Sequence, residues 1–298
     1  MTTERDWMTD EFEKHREHLR GVAYRILGSG SDADDAVQDA WLRVSRADAS
    51  EVVNLRAWLT TVVARVSLNM LRSQSNRRQD LVDNDEFVRL VTDDSADSER
   101  EAVLADSVGL ALLVVLERLT PAERLAFVLH DMFDLPFEEI APIVGRSATA
   151  ARQLASRARR RVRGGDATTD ADLRRRREVV EAYLSASRQG DFTALLALLD
   201  PDVVLRVDDP RRDPVARLEF RGARTVIERG REFSRVARFC RLALLDGSPG
   251  LIMAPRGRLA RAIAFSFSGE RITGIEVIAD PDRLRQMQFS LPQRELPG

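Results

Sequence analysis

Cysteine occurs once in this chain of 298 residues, at Cys240. That excludes an internal disulfide and any zinc site built from several thiolates, and a small core residue is the plain reading of Cys240. Histidine is limited to His15, His18 and His130, too few to suggest a metal centre. Lysine is rarer still: Lys14 is the only one among 46 basic residues. No apolar run approaches the roughly 18–20 residues that span a bilayer. The opening MTTERDWMTDEFEK is polar and acidic, without the apolar core of an export signal. The expectation is a cytoplasmic protein with no cofactor, no structural metal and no membrane contact.

What is present points to a soluble globular chain of two or three domains, with 44% hydrophobic and 32% charged residues. The formal net charge is only -2, yet positive charge is strongly concentrated in one place. The stretch 137–163, FEEIAPIVGRSATAARQLASRARRRVR, carries seven arginines from Arg146 to Arg163 and no acidic residue between them. It reads as a helix, a glycine turn and a second, basic helix, the form taken by readers of the DNA major groove. Phe137–Val144 is the first helix, with Ile140, Ile143 and Val144 facing inward; Gly145 fits a left-handed end and Ser147 an N-cap. Ala150, Ala151, Leu154, Ala158 and Val162 form the inner side of the second helix. Arg146, Ser147, Thr149, Arg152, Gln153, Ser156, Arg157 and Arg160 are left for solvent or DNA.

Composition divides the rest of the chain. Residues 10–78 are helical in pattern. Residues 80–101 hold nine acidic residues against Arg89 and Arg100 and read as a solvated linker. Residues 102–163 return to helical periodicity, and Gly164–Gly165 with the polar run after them mark a second boundary. Beyond it come a helix at about 172–188, a short helix at 191–199 and strand-like runs at 203–207, 216–220, 239–245, 251–253, 259–268 and 272–278. The domains read as 1–79, a linker at 80–101, 102–165 and 166–298. No internal repeat is apparent.

Two more stripes bear on function. In 32–44, Ala33, Val37, Ala40, Trp41 and Val44 make one buried helix face, with Ser31 as its N-cap. Asp32, Asp35, Gln38 and Asp39 fall on another face, an acidic stripe that suits either solvent or a partner. In 55–72, Leu55, Leu59, Val62, Val66 and Met70 make an apolar face. Thr61, Arg65, Asn69, Arg72 and then Asn76 lie opposite, extended by Arg77 and Arg78. Arginine and asparagine at that spacing bind phosphates and base edges, although an ordinary polar face has the same pattern. The polar loop 46–54, ending in Asn54, precedes this helix. Further on, Thr120, Pro121 and Glu123 form a helix start with a capping box, and Leu125, Val128, Leu129 and Met132 point inward until Phe133–Pro136 break the helix.

The order of these pieces resembles the extracytoplasmic-function (ECF) sigma factors of RNA polymerase. Tyr24-Arg-Ile-Leu-Gly, the run Asp32 to Val44 and Leu55-Arg-Ala-Trp-Leu resemble their second conserved region, and Leu119-Thr-Pro-Ala-Glu-Arg through Arg163 their fourth. The resemblance implies that Asp32, Asp35, Gln38 and Asp39 dock on the clamp of the polymerase large subunit. It implies that Asn54, Thr61, Arg65, Asn69 and Arg72 face the −10 promoter element, with the loop 46–54 capturing an unpaired base. The eight residues from Arg146 to Arg160 named above would read the −35 element.

The last third resembles the SnoaL-like, NTF2-like cone fold, an extension found in the SigJ type of these factors. Asp280-Pro-Asp-Arg-Leu is similar to that subgroup's signature, whereas its glycine-rich stretch is here Asp208-Asp-Pro-Arg-Arg and its Trp-Leu-Pro-Glu-Pro element is missing from the linker. The fold class implied is two all-α domains followed by an α+β domain, which modulates activity and offers a cavity for a small-molecule ligand. Catalysis is not expected: residues 131–298 contain no histidine and one tyrosine, Tyr183. Asp208, Asp209 and Asp213 read as salt-bridged loop residues. The competing reading is a stand-alone helix-turn-helix regulator with a ligand-binding or catalytic cone domain.

Overall fold

In the computed structural model, residues 2–47, 52, 54–74, 109–163, 171–208, 217–231, 233–255 and 258–291 are described. The acidic linker 80–101, Gly164–Gly165, Asn76, Arg77, Arg78, Asp209, Asp213 and most of the loop 46–54 lie outside them. The chain divides into two compact units, the first drawn from residues 1–80 and 116–161 and the second from 162–296 with 81–115.

The first unit starts with α1 (Thr2–Leu27), α2 (Gly30–Val44) and α3 (Leu55–Gln74), which pack on one another. Phe12, Leu19, Ile26, Val37 and Leu59 are fully or almost fully buried among them. Gly28, at φ 77, turns the chain between α1 and α2. The cap of α2 is Ser29 rather than Ser31: Ser29 has extended backbone, and its Oγ accepts from Asp32 N–H at 3.3 Å. The left-handed glycine brings the helix start forward by two residues, leaving Ser31 exposed inside the first turn.

α3 buries a wider arc than its apolar stripe suggests. Leu59 and Val66 are buried, but Leu55, Val62 and Met70 are only half-buried, whereas Val63, Ala64, Ser67, Leu68 and Leu71 are buried. The helix is covered from more than one side, by α1 and α2 and also by α5 (Pro121–Phe127) and α6 (Phe137–Val144). In chain order α4 (Leu110–Glu117) comes next, its residues Leu110–Val115 grouped with the second unit; it is apolar nearly all round, and Leu110 to Leu116 are buried.

The capping box of α5 is present, with Thr120 Oγ1 accepting from Glu123 N–H at 3.4 Å and the Glu123 carboxylate accepting from Thr120 N–H at 3.2 Å. The helix ends in a single π-turn, Val128–Met132. Its i→i+5 closure widens the backbone and rotates Met132 off the buried line, so Met132 is half-exposed while Leu125, Val128 and Leu129 are buried. Asp134, at φ 54, completes the break before Pro136. Then follow α6 and α7 (Ala148–Arg163).

The second unit is α+β. α8 (Ala171–Gln189) and α9 (Phe192–Leu198) precede a seven-stranded mixed sheet. Its strands are β1 (Leu199–Asp208), β2 (Arg217–Arg221), β3 (Cys240–Leu245), β4 (Ser248–Met253), β5 (Arg261–Ser268), β6 (Arg271–Ile278) and β7 (Phe289–Ser290), in the order β2-β1-β6-β5-β4-β3-β7. Among the described strands only β1 and β6 run parallel. The helix-then-sheet layout matches expectation, and the expected strands are all present. Three short helices were not foreseen: α10 (Ala223–Gly230), α11 (Phe233–Val236) and α12 (Pro281–Gln286). Each is at most eight residues long, too short for an apolar period to show.

The core includes Val180, Val203, Leu251, Ile272 and Cys240. Cys240 is fully buried, and burial pushes its thiol up to about 12, which suits an inert core residue. Gly250 sits where a side chain would not fit: an added Cβ would lie 2.8 Å from the Ile263 carbonyl oxygen on the neighbouring strand.

Candidate nucleic-acid interface

The helix-turn-helix forms where the sequence places it. Gly145 ends α6 in the left-handed region (φ 72, ψ 41), a conformation that favours a residue without Cβ. Ser147 Oγ accepts from Ala150 N–H at 3.2 Å and caps α7. Ala151, Ala155, Ala158 and Val162 are fully buried, so α7 rests on small side chains. Ala155 replaces Ala150 on that line, and Ala150 and Leu154 are only half-buried, because the 3.6-residue period carries the buried face through 151, 155, 158 and 162. Arg146, Ser147, Thr149, Arg152, Gln153, Ser156, Arg157 and Arg160 are all exposed.

The arginines of α7 are held differently. Arg152 lies over the Phe137 ring, 5.1 Å from its centroid, which keeps the guanidinium at the helix surface. Arg161 Nη1 donates to Glu123 Oε2 at 2.7 Å, and Arg157 Nε stands 3.5 Å from Glu123 Oε1. Arg159 Nε is 2.5 Å from Asp131 Oδ1. Arg146 and Arg160 have no acidic partner among the described residues. Glu123 and Asp131 thus orient the basic helix, a role that sequence reasoning missed. Glu123 announces itself only as a capping residue, and pairs 28 and 38 residues apart leave no local signal.

On α3, Arg65, Asn69 and Arg72 are exposed and Thr61 is half-buried. The Thr61 hydroxyl donates to the Ala57 carbonyl at 3.0 Å. Asn54 is exposed, but its side-chain oxygen accepts from Ala57 N–H at 3.1 Å, so it caps α3. On α2, Asp35, Gln38 and Asp39 are exposed with no polar partner among the described residues, and Asp32 is half-buried. Asp34, beside them, is tied to Arg20 at 2.6 Å.

Within this unit the two helical groups meet. Arg124 Nε donates to the Arg25 carbonyl at 3.4 Å, and a Cβ on Gly28 would come within 3.0 Å of Arg124 Nη2. The Arg25 guanidinium lies 5.3 Å from the Phe133 ring centroid, and His18 meets the same ring edge-on at 5.4 Å. Burial, with Arg56 alongside, pushes His18 down to about 4, so it stays neutral at physiological pH.

In the second unit Asp208 is tied down, as a salt-bridged residue. Its carboxylate accepts from Ala279 N–H, from Asp280 N–H at 3.4 Å and from Arg283 Nη1 at 3.1 Å. Asp280 caps α12 by accepting from Arg283 N–H at 2.8 Å, Pro281 opens the helix, and Arg283 also pairs with Glu276 at 2.7 Å. The Asp280-Pro-Asp-Arg-Leu motif therefore fastens the end of β6 to β1. Among the described residues there is no cluster able to hold a metal ion, and no helix is long and apolar enough to cross a membrane.

A short acid-striped helical group followed by a helix-turn-helix is the layout of a sigma-70-type initiation factor. The family models agree: Sigma-70 region 2 matches residues 12–77 and Sigma-70 region 4 matches residues 109–162. The chain is 38% identical over 289 residues to the ECF RNA polymerase sigma factor SigJ of Mycobacterium tuberculosis, covering 92% of each chain. It is 34% identical over 295 residues to the probable ECF RNA polymerase sigma factor SigI of the same species, covering 97% of this chain and 99% of that one. The crystal structure of M. tuberculosis SigJ is similar with a TM-score of 0.43 and 34% identity, covering 93% of this chain and 98% of that one. The protein belongs to the ECF RNA polymerase sigma factors. It is a transcription initiation factor that acts with core RNA polymerase on promoter DNA, and not an enzyme. The alternative of a stand-alone regulator is set aside.

Proposed function

We propose that α7 reads the −35 element, with Arg146, Ser147, Thr149, Arg152, Gln153, Ser156, Arg157 and Arg160 at the DNA. The observation that carries this is the division of the helix: these eight residues are exposed, while Ala151, Ala155, Ala158 and Val162 opposite them are fully buried. Residues near the start of α7 enter the groove and later arginines clamp phosphate. Arg65, Asn69 and Arg72 of α3 meet the −10 element, with Thr61 beside them; Asn54 positions that helix through its cap and contributes to the DNA from the same end. Asp32, Asp35, Gln38 and Asp39 dock on the clamp of the polymerase large subunit, where an acidic stripe meets basic residues.

The division of labour follows the boundaries 1–79, 80–101, 102–165 and 166–298, with the last domain modulating activity and holding a small apolar ligand. The protein works in the cytoplasm beside polymerase. Run-off transcription with purified core polymerase and a broad promoter library tests the reading, using both the full chain and a chain ending at residue 165. Initiation from a defined promoter by at least one is expected; failure of both would sink it.

A further inference from the structure

Glu123 is buried, and its carboxylate serves two helices at once. Oε2 accepts from Thr120 N–H at 3.2 Å and from the Thr120 hydroxyl at 2.9 Å, which closes the cap of α5. The same oxygen accepts from Arg161 Nη1 at 2.7 Å, and Oε1 stands 3.5 Å from Arg157 Nε. A capping box takes Glu or Gln alike. The cap therefore does not need the negative charge. The arginines do, and they in turn answer it, since burying a carboxylate is costly unless cations meet it.

Arg157 and Arg161 are one helical turn apart on α7, so their side chains leave the helix side by side. Both side chains are more than half exposed, at 52% and 55%. A guanidinium carries several N–H groups in a fixed fork, so one that is pinned on a carboxylate can still meet a second acceptor. Arg159, by contrast, is tied to Asp131 and only 30% exposed. An arginine anchored in advance loses little rotamer freedom when it meets a phosphate. The anchoring carboxylate also repels the DNA backbone and lowers affinity for every sequence. A device that gives up general affinity for fixed geometry favours discrimination.

We propose that Glu123 is a positioning residue for promoter recognition. It holds Arg157 and Arg161 together as a clamp for the DNA backbone, which makes Arg161 a DNA contact besides the eight named above. The proposal rests on the reading that α7 meets the −35 element, and it says what fixes the register of that helix.

Holoenzyme assembled with the full chain tests it. Binding is measured to a promoter duplex recovered in the run-off assay and to a random-sequence duplex, from about 50 to 200 mM salt. Glu123→Gln keeps an acceptor for the cap and removes the charge. It should bind the random duplex several-fold more tightly and steepen the salt slope by about one. Its preference for the promoter should fall several-fold, because backbone contacts set the register from which bases are read. Thr120→Ala damages only the cap; it should lower the melting temperature and leave slope and preference unchanged. Arg161→Ala should weaken binding to both duplexes and make the slope shallower by about one. If Glu123→Gln does not fold, as read by thermal melting, Arg161→Ala decides. Slope and preference unmoved by Glu123→Gln, the same changes in Thr120→Ala, or an unchanged slope in Arg161→Ala overturns the proposal. The −35 reading survives each of these, because Arg152→Ala scores it separately. Holoenzyme with the unaltered chain that prefers no duplex over random sequence overturns both.

Discussion

Two parts of the molecule concentrate charge, and they treat it in opposite ways. At the corner of β1, β6 and α12, Asp208 and Glu276 both pair with Arg283, and Asp208 takes two main-chain N–H groups as well. On α7 six arginines have only two acids among them, Glu123 and Asp131, and the exposed face has no carboxylate of its own. A charge answered within the fold holds the fold, whereas a surplus of one sign on a rigid face is free to meet a polyanion. Glu123 belongs to both cases, since it caps one helix and steadies the arginines of another.

The comparison breaks most readily at the corner. Asp208→Ala leaves two N–H groups without their acceptor and Arg283 with Glu276 alone of its two carboxylates, and should lower the unfolding free energy of the second unit by about 3 kcal/mol in chemical denaturation. A loss under about 0.5 kcal/mol, the scale of an ordinary surface change, would show that the corner is not structural. Arg152→Ala should do the reverse: about 1–3 kcal/mol lost in binding to a −35 duplex by holoenzyme, with stability nearly unchanged. Equal loss on every duplex would reassign Arg152 to phosphate clamping.

Charge reversal at Asp39 should weaken co-purification with core polymerase several-fold without altering the melting temperature, the scale of a rim charge. Unchanged co-purification refutes the docking face. At α2, Ser29→Ala should cost ~1 kcal/mol and Ser31→Ala less than half of that, because only Ser29 accepts from the helix N-terminus. The mildest effect concerns pH. His18 titrates near 4 in the folded chain and at its ordinary 6.5 unfolded, so the unfolded state takes up the proton first. Stability should therefore decline as pH falls from 6.5 toward 4, and His18→Gln should flatten that part of the slope. An unaltered slope would assign it to other groups.

Much of this was legible without coordinates. The glycine turn, both caps of the helix-turn-helix, the capping box at Thr120 and the stripes on α2 and α7 all follow from short-range rules acting within one helix turn. The misses share a cause. The buried arc of α3, the start of α2 at Ser29 and the π-turn at Val128–Met132 depend on what packs against each segment. The lining of the cavity in the second unit was equally hidden, since its walls come from residues nearly a hundred positions apart.

The sequence by itself determined that this chain has two helical blocks, the first with an acidic stripe and the second ending in a basic helix, and a later α+β block, because amphipathic period, caps and turns are local properties. Only the tertiary structure decided which charges are spent inside the fold. Asp208 meets Arg283 across 75 positions and Glu123 meets Arg161 across 38. A charge's role depends on whether its partner arrives, and partners that far apart arrive only when the chain is packed.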